Sequence, residues 1–207
     1  KDFANWQNNM YENGEIKEQE EYWMSQFEGQ LPVLDLPTDY PVPQVRTYAG
    51  AEYSFKLDEE LSTKLNELAL ENNATLYMVL LSAYNILLAK YSGQEDIIIG
   101  APISGRAHPD LEKIIGMFVN TLAMRNQPQG GLTFEQFLNQ VKENALAAFD
   151  NQEYPYEMLV EKLDIDRDLN RNPLFDTAFQ LQNFDLNTKT ISGLKFIPYQ
   201  FENRQAR

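Results

Sequence analysis

The sequence of 207 residues contains no cysteine and a single histidine, His108. The absence of cysteine excludes disulfides, thiolate nucleophiles and thiolate metal sites, and it is compatible with a cytoplasmic protein. One histidine excludes zinc sites that need several histidines and mechanisms that need two. His108 precedes Pro109 in a polar segment, where a lone histidine is typically a solvated side chain and not a base.

Positive charge and long apolar runs are also scarce. The chain has 17 Lys and Arg residues against 31 Asp and Glu residues, a formal net charge of −14. This balance argues against nucleic-acid and anionic-membrane partners, which favour basic faces. The most apolar run, residues 75–91, is interrupted by Ser82, Asn85 and Lys90, and it is shorter than the ~20 residues of a membrane-spanning helix. We therefore interpret the acidic surface as a solubility feature.

Several catalytic signatures are missing as well. The sequence contains no nucleophile elbow, no glycine-rich dinucleotide motif and no phosphate-binding loop, so hydrolase and nucleotide-binding functions have no support. Adjacent carboxylates such as Glu59 and Glu60 do not face each other on a helix, which makes them solvated side chains and not acid–base pairs.

What is present is an alternation of helical and extended patterns, with 43% hydrophobic residues to build a core. Apolar spacing and capping residues predict helices at 16–28, after Asp58, from Thr75 to about Tyr91, from Thr133 to about Phe149, and at Pro155. Alternating or β-branched runs predict strands at 49–57, 96–103, 116–125, 175–182 and 194–199. This order predicts a two-layer α/β sandwich, a mixed sheet with helices on one face. Three consecutive isoleucines, residues 97–99, are typical of a strand covered on both faces.

Three short strings follow one another at 115–121 (Ile-Gly-Met-Phe-Val-Asn-Thr), 151–157 (Asn-Gln-Glu-Tyr-Pro-Tyr-Glu) and 167–174 (Arg-Asp-Leu-Asn-Arg-Asn-Pro-Leu). Gly116 inside a strand indicates a bulge or a close approach to a ligand. Asn120 and Thr121 end an apolar run, and a buried Asn must find hydrogen-bond partners. The residues alone leave two alternatives open for Asn120, a structural hydrogen bond to a neighbouring loop or a place in a substrate passage.

The third string favours a structural interpretation. Asn172-Pro173 predicts an extended or turn conformation that starts a strand. Arg167 and Arg171 flank it among acidic residues, which favours an ion network. The Tyr154–Tyr156 segment is similarly expected to be a packed helix start.

Three further segments complete a pattern: 2–6 (Asp-Phe-Ala-Asn-Trp), 34–39 (Leu-Asp-Leu-Pro-Thr-Asp) and 100–106 (Gly-Ala-Pro-Ile-Ser-Gly-Arg). Together and in this order, the six segments resemble the condensation domains of nonribosomal peptide synthetases over the whole chain. The resemblance implies one lobe of the two-lobed chloramphenicol acetyltransferase-like fold. It also implies amide-bond formation between two thioesters, each carried on the phosphopantetheine arm of a carrier protein, in a tunnel between the lobes.

The chain departs from the family pattern because it lacks His-His-x-x-x-Asp-Gly, whose second His acts on the attacking amine. We therefore expect residues 1–48 to be a charged helix and Pro-rich connector that leads from a missing N-terminal lobe. Residues 49–207 would be the C-terminal lobe, truncated at its end and inactive alone. The alternatives are a non-catalytic carrier- or partner-binding module and a related epimerisation or acyltransferase domain.

The resemblance assigns roles and partners. The substrate tunnel would include Asn120, Thr121 and Ser104, and a crossover to the other lobe could lie within 183–200. Structural motif positions would be Gly116, Phe118, Arg106, Arg167, Arg171, Asn172 and Pro173. No metal or directly bound cofactor is expected, because phosphopantetheine comes from the carriers. The implied partners are the N-terminal lobe, the donor and acceptor carrier domains and an adjacent adenylation domain.

Overall fold

The computed structural model describes residues 2–41, 50–106, 108–165, 171–182, 190–191 and 194–195. Its helices are Asp2–Glu12 (α1), Lys17–Gln26 (α2), Glu59–Glu71 (α3), Leu76–Ser92 (α4), Phe134–Asp150 (α5) and Tyr156–Lys162 (α6). Its strands are Ile97–Ile103 (β1), Asn120–Asn126 (β2), Thr177–Ala178 (β3), Thr190–Ile191 (β4) and Leu194–Lys195 (β5).

The predicted mixed sheet with helices is confirmed. β1 lies at the centre of a three-stranded sheet, between β2 and β3. It pairs antiparallel with β2, from Ile97 opposite Asn126 to Ile103 opposite Asn120. It pairs parallel with β3, where Ile99 lies opposite Thr177. β4 and β5 form a separate antiparallel pair.

The central strand is covered on both faces, as its three isoleucines predict. Ile97 and Ile99 are 1% and 0% exposed, and they pack in a cluster with side chains of α4 and α5. Ile98 belongs to a second cluster that contains Trp23 and Phe27 from the end of α2. Each fully buried side chain of this size stabilises the fold by roughly 1.5–3 kcal/mol. β1 therefore joins a layer of α4 and α5 to the N-terminal segment.

The helix starts follow the predicted capping residues. The Asp58 carboxylate accepts the Leu61 N–H at 2.7 Å, and Thr75 Oγ1 accepts the Met78 N–H at 3.3 Å. Thr133 and Gln136 form the predicted reciprocal capping box at the start of α5. These side chains satisfy backbone donors that a helix leaves free at its first turn. Gly93 ends α4 in a left-handed conformation with φ 71°, which a glycine adopts without steric cost.

Two strand predictions are wrong in extent. Residues 50–57 form no strand, and Tyr53 and Phe55 are 88% and 73% exposed. The alternation is real, but no strand edge in the described part of the chain pairs with it, and a strand needs a partner for its backbone groups. Gly116 through Val119 lie in a loop, because the second strand begins only at Asn120. Gly116 therefore precedes β2 and makes no bulge within it.

Of the last two predicted strands, the first is shorter than expected. The prediction for 175–182 is confirmed only at Thr177 and Ala178, and residues 179–182 continue without strand structure. Of 194–199, the described residues Leu194 and Lys195 are in β5, and the remainder lies outside the described residues. The helix predicted to start at Pro155 begins one residue later, with Pro155 as its cap. α1, in contrast, was not among the predicted helices.

Among the described residues, no single helix combines the length and apolar character of a membrane span. α3 and α4 meet those criteria only when they are taken together, and they are bent by 104° at the break between them.

Candidate functional site

The first two motif strings meet at one end of the sheet, where β1 ends and β2 begins. Ile103 lies opposite Asn120 at this end, so the segment that follows β1 and the segment that precedes β2 are neighbours. We call this the open end of the β1–β2 ladder, and the opposite end, where Ile97 lies opposite Asn126, the closed end. The sequence separates these strings, and the antiparallel pairing brings them together.

Gly105 permits the closest backbone contact at the open end. Its φ is 62°, and a Cβ atom built on it would lie 1.6 Å from the carbonyl oxygen of Phe118. Only glycine fits both this left-handed conformation and this distance. The loop after β1 therefore lies directly against the loop before β2.

Arg106 holds the same two loops together through its side chain. Its Nη2 donates to the Gly116 carbonyl oxygen at 3.0 Å, and its Nη1 donates to the Leu111 carbonyl oxygen. The guanidinium carbon lies 4.3 Å from the centre of the Phe118 ring, within the range of a cation–π interaction. The Phe118 ring in turn meets Phe3 of α1 edge to face, with centroids 4.9 Å apart.

Asn120 connects the first string to the second. Its Nδ2 donates to the carbonyl oxygens of Gln152 and Tyr154, both at 2.9 Å. Its Oδ1 accepts the backbone N–H of Tyr156 at 3.1 Å and that of Thr121 at 2.9 Å. The side-chain amide thus uses both donors and both acceptor positions within the protein. This geometry supports the structural alternative for Asn120, and its tunnel role stays a prediction.

The 151–157 string is also held from the opposite side, by α2. Gln19 Oε1 accepts the backbone N–H groups of Glu153 and Tyr154, both at 3.1 Å. The Glu20 carboxylate accepts from Lys162 at 2.9 Å and from the Tyr154 hydroxyl at 3.1 Å. The bond from Lys162 lowers the pKa of Glu20, while burial and then the bond to Glu20 raise the pKa of Tyr154.

The third string is described from Arg171 onward, and Arg167 lies outside the described residues. Arg171 Nη2 donates to Asp176 at 2.8 Å, which agrees with the predicted ion network. Burial raises the pKa of Asp176, and the charge of Arg171 opposes this shift. Asn172 and Pro173 are half-buried, and they lead into Leu174, which is 2% exposed.

Phe175, directly after this string, packs against β1. A Cβ atom on Gly100 would lie 2.4 Å from the Phe175 ring, so glycine is needed for the ring to pack on β1. Tyr156 of the second string lies against the same ring, with centroids 5.5 Å apart. The first two strings therefore meet at the end of β1, and the third leads into Phe175, which packs against Gly100 in the middle of β1 and against Tyr156.

Two cavities flank the segment that precedes β2. The α1 cavity, of about 380 Å³, has Asn120 in its wall and is also lined by Phe3, Trp6, Met10, Tyr11, His108, Phe118, Val119 and Pro155. The α4 cavity, of about 650 Å³, has Ser104 in its wall and is also lined by Thr75, Tyr77, Ala101, Ile103, Val119, Leu146, Phe149 and Leu181. Val119 lines both, so the two cavities are separated by the string itself.

The other predicted tunnel residue, Thr121, lies inside β2 opposite Pro102. It is half-buried and is not among the residues that line either cavity. The structure therefore brings Asn120 and Ser104 to two different cavities on either side of one loop.

No acid–base or metal centre is assembled at this end. His108 has a largely exposed side chain, and its Nδ1 accepts the Asp110 backbone N–H at 3.2 Å. Within the described ranges, no group of three or more His, Asp or Glu side chains could hold a metal ion. The arrangement here is a cavity lining held in place by side-chain hydrogen bonds, which can shape and position a substrate.

A family model for the condensation domain matches residues 1–206. The chain belongs to the condensation-domain family. Tyrocidine synthase 2 of Brevibacillus parabrevis is 54% identical over 203 residues, which cover 98% of this chain and 6% of that protein. Bacitracin synthase 3 of Bacillus licheniformis is 54% identical over 202 residues, 98% of this chain and 3% of that protein. The chain is thus a small fraction of the length of these relatives.

Solved structures agree with this assignment. A holo four-domain nonribosomal peptide synthetase bound to AMP and glycine matches with a TM-score of 0.79 and 27% identity, over 85% of this chain and 14% of that chain. The condensation domain of the Monacolin K polyketide synthase matches with a TM-score of 0.76 and 25% identity, over 86% of this chain and 44% of that chain. The resemblance to condensation domains is therefore confirmed.

Sequence reasoning did not find the contacts that hold the condensation-domain strings together. Arg106 and Gly105 were assigned only through the resemblance, and no pattern indicated that they contact the loop of residues 111–118. The available signal was a glycine followed by a lone arginine directly after a buried strand, in a chain with few basic residues.

Proposed function

We propose that the chain is the C-terminal lobe of a condensation domain that forms an amide bond between two carrier-bound thioesters in nonribosomal peptide synthesis. The observation that carries this proposal is that the 115–121 and 151–157 strings meet at one end of the sheet, beside two cavities. The aligned part of the chain covers 44% of the Monacolin K condensation domain, so more than half of that domain has no counterpart in the aligned part. Residues 1–48 would be the connector from the other lobe, and residues 49–207 the lobe itself.

In the proposed reaction, the free amine of the acceptor aminoacyl thioester attacks the carbonyl carbon of the donor thioester. The C–N bond forms, the C–S bond breaks, and the thiol of the donor carrier leaves with the proton that the amine loses. The group that assists this proton transfer would be the second His of a His-His-x-x-x-Asp-Gly motif, which this chain lacks. Because acid–base assistance contributes typically ~10²–10⁴-fold, we propose that the lobe alone is inactive.

This chain's contribution would be the wall of the substrate passage. Ser104 would line the α4 cavity, and Asn120 would line the α1 cavity while its amide holds residues 152–156 in place, with Thr121 next to it. The phosphopantetheine arms would arrive with the donor and acceptor carriers, next to an adenylation domain in the same protein. Holding reactants in a productive geometry lowers the entropic part of the barrier, and a wall braced by Arg106 and Asn120 suits that task.

The test uses the intact parent protein. Donor and acceptor carriers are loaded with different amino acids, and the dipeptidyl thioester is measured by mass spectrometry. We expect amide formation, and we expect its loss when the second His of the upstream motif is replaced by Ala. A parent that forms no amide, and whose upstream sequence lacks this motif, would refute the enzymatic proposal.

A second candidate is a non-catalytic module that recruits another protein. The X-domain of teicoplanin biosynthesis, solved as a complex with OxyB, shares this fold with a TM-score of 0.78 at 23% identity over 86% of this chain. The exposure of Ile115 and Met117, 101% and 92%, favours a surface that meets a partner. Binding of a carrier or partner without any amide product would support this candidate over the first.

A further inference from the structure

The loop that precedes β2 is exposed along most of its length. Every residue from 112 to 117 is exposed, including the apolar side chains of Ile114, Ile115 and Met117. Val119, which lines both cavities, is 63% exposed. Burial of apolar surface, the usual source of order in a protein, therefore contributes little here. Some other interaction must hold the loop in one conformation.

Arg106 supplies that interaction. Its two carbonyl bonds reach Leu111 at the start of the loop and Gly116 near its end. Its guanidinium also lies on the ring of Phe118, the one half-buried residue between Gly116 and Asn120. One side chain thus fixes the loop at three points, and hydrogen bonds from a charged donor are stronger than neutral ones.

We infer that Arg106 is a positioning residue for amide formation, since it sets the place of the 116–119 segment that separates the two cavities. This inference rests on the proposed function. Arg106 need not contact either substrate, because its guanidinium is engaged by the loop. Its effect would pass through Val119 and Met117, which line the α1 cavity, and through Val119 into the α4 cavity.

A lysine cannot reproduce this arrangement. The planar guanidinium offers several donors in a fixed geometry and stacks on an aromatic ring, whereas an ammonium is a compact charge. Arg106→Lys should therefore keep the charge but lose one of the two carbonyl bonds and the stacking. Arg106→Ala loses all three contacts.

Arg125 provides a matched control at the closed end of the ladder. It also donates to backbone carbonyls, those of Gln26, Glu28 and Gln30, and it bonds Asp96. It lines neither the α1 cavity nor the α4 cavity. Arg125→Ala thus removes a carbonyl-binding arginine of the same sheet without touching the candidate site.

The experiment measures amide formation and hydrogen exchange in the parent protein carrying each variant. For Arg106→Ala, we expect faster exchange at residues 111–119 and a kcat for amide formation lowered by about tenfold to a hundredfold, the scale of small misplacements. Arg106→Lys should fall between this variant and the wild type. Arg125→Ala should accelerate exchange near residues 26–30 and 125 and leave kcat within about twofold.

A kcat for Arg106→Ala within twofold of wild type would overturn the inference, as would unchanged exchange at residues 111–119. A loss of kcat equal to that of Arg125→Ala would also overturn it, since it would show a general effect of stability. If the proposed function is wrong, the wild-type parent itself forms no amide, and this result distinguishes that failure from the outcomes above. In that case the positioning role for amide formation falls with it, even if residues 111–119 exchange faster.

Discussion

An arginine and an asparagine make the main side-chain hydrogen bonds at each end of the β1–β2 ladder, but the surroundings of these residues differ between the two ends. At the closed end, Asn126 is 2% exposed and accepts a hydrogen bond from Asn144. Arg125 binds Asp96 and three carbonyls, one from the last residue of α2 and two from the segment after it. At the open end, Asn120 and Arg106 also tie loops to the sheet. There, however, two cavities and a loop of exposed apolar side chains border the ties. The closed end also borders a cavity, of about 450 Å³, but its lining, which includes Arg125 and Asn144, is polar. The similar contacts thus border a polar cavity at one end and two largely apolar cavities at the other.

The largest expected effect is the difference in stability loss between two glycine substitutions, one near each end of the ladder. Gly93 precedes β1 and Gly105 follows it, both with positive φ, but only Gly105 lies against backbone. Gly105→Ala should cost about 1–2 kcal/mol for the left-handed conformation and about 1–3 kcal/mol more for the clash with the Phe118 carbonyl. Gly93→Ala should show only the first cost. Native-state hydrogen exchange of the parent protein measures both, and equal losses would contradict the close contact.

The second effect concerns Asn120. Asn120→Ala leaves the Tyr156 N–H and the carbonyls of Gln152 and Tyr154 without a partner, which should lower the local free energy of unfolding by about 2–4 kcal/mol. The opening free energy of residues 120–126 and 151–158, from hydrogen exchange in the parent, tests this. Asn66→Ala is the control, because that exposed amide makes a single bond to Ser62 within α3, and we expect a change within about 0.5 kcal/mol. If the variant loses amide formation without loss of stability, Asn120 acts on the substrate instead.

A third prediction tests the closed end. Asp96→Asn removes the charge that binds Arg125 at 2.7 and 3.0 Å, and it should destabilise this end by about 1–2 kcal/mol, since the pair is partly solvated. Amide formation by the parent should stay at the wild-type rate. A large loss of rate would mean that the two ends are coupled and that the comparison between them fails.

The smallest expected effect is a pH dependence of the stability that the contact between Glu20 of α2 and Lys162 contributes. The pKa of Glu20 is lowered by Lys162, so its contribution to stability is present above the unfolded-state pKa and is lost as the pH falls through the folded-state value. The free energy of unfolding of the wild type should exceed that of Glu20→Gln by less than about 1 kcal/mol at pH 7. This difference should shrink towards pH 3. Urea titrations of the parent at both pH values, followed by exchange at residues 151–158, measure it. A difference that grows on acidification would have the wrong sign.

Local rules predicted the parts of the fold that local chemistry determines. Thr75 and Thr133 start helices because their hydroxyls bind nearby N–H groups, and Gly93 ends α4 because it adopts a left-handed conformation. The three isoleucines of β1 indicated a strand covered on both faces, and the two clusters around them confirm it. These features depend on residues within one or two turns, or on a simple apolar pattern.

The errors arise where the outcome depends on distant partners. Residues 50–57 alternate like a strand, yet pairing needs an edge that the described chain does not offer. Gly116–Val119 carry β-favouring residues, yet Arg106 and Gly105 hold them as a loop. The sequence indicates that Asn120 needs hydrogen-bond partners, but it does not indicate that residues 152–156 provide them. Such contacts are set by the antiparallel register of β1 and β2, which the sequence alone does not reveal.

The position of β1 between an antiparallel and a parallel neighbour has a consequence during synthesis on the ribosome. β2 follows β1 after one loop, whereas β3 is made only after α5 and α6. A nascent chain that has reached residue 126 therefore has one side of β1 paired and the other side open, and open strand edges promote association between chains. Among the described residues, that side is closed by the two residues of β3 and by the bond from the Phe179 N–H to the Gly100 carbonyl oxygen. During synthesis of residues 127–179, this side of β1 is thus open to pairing with another chain.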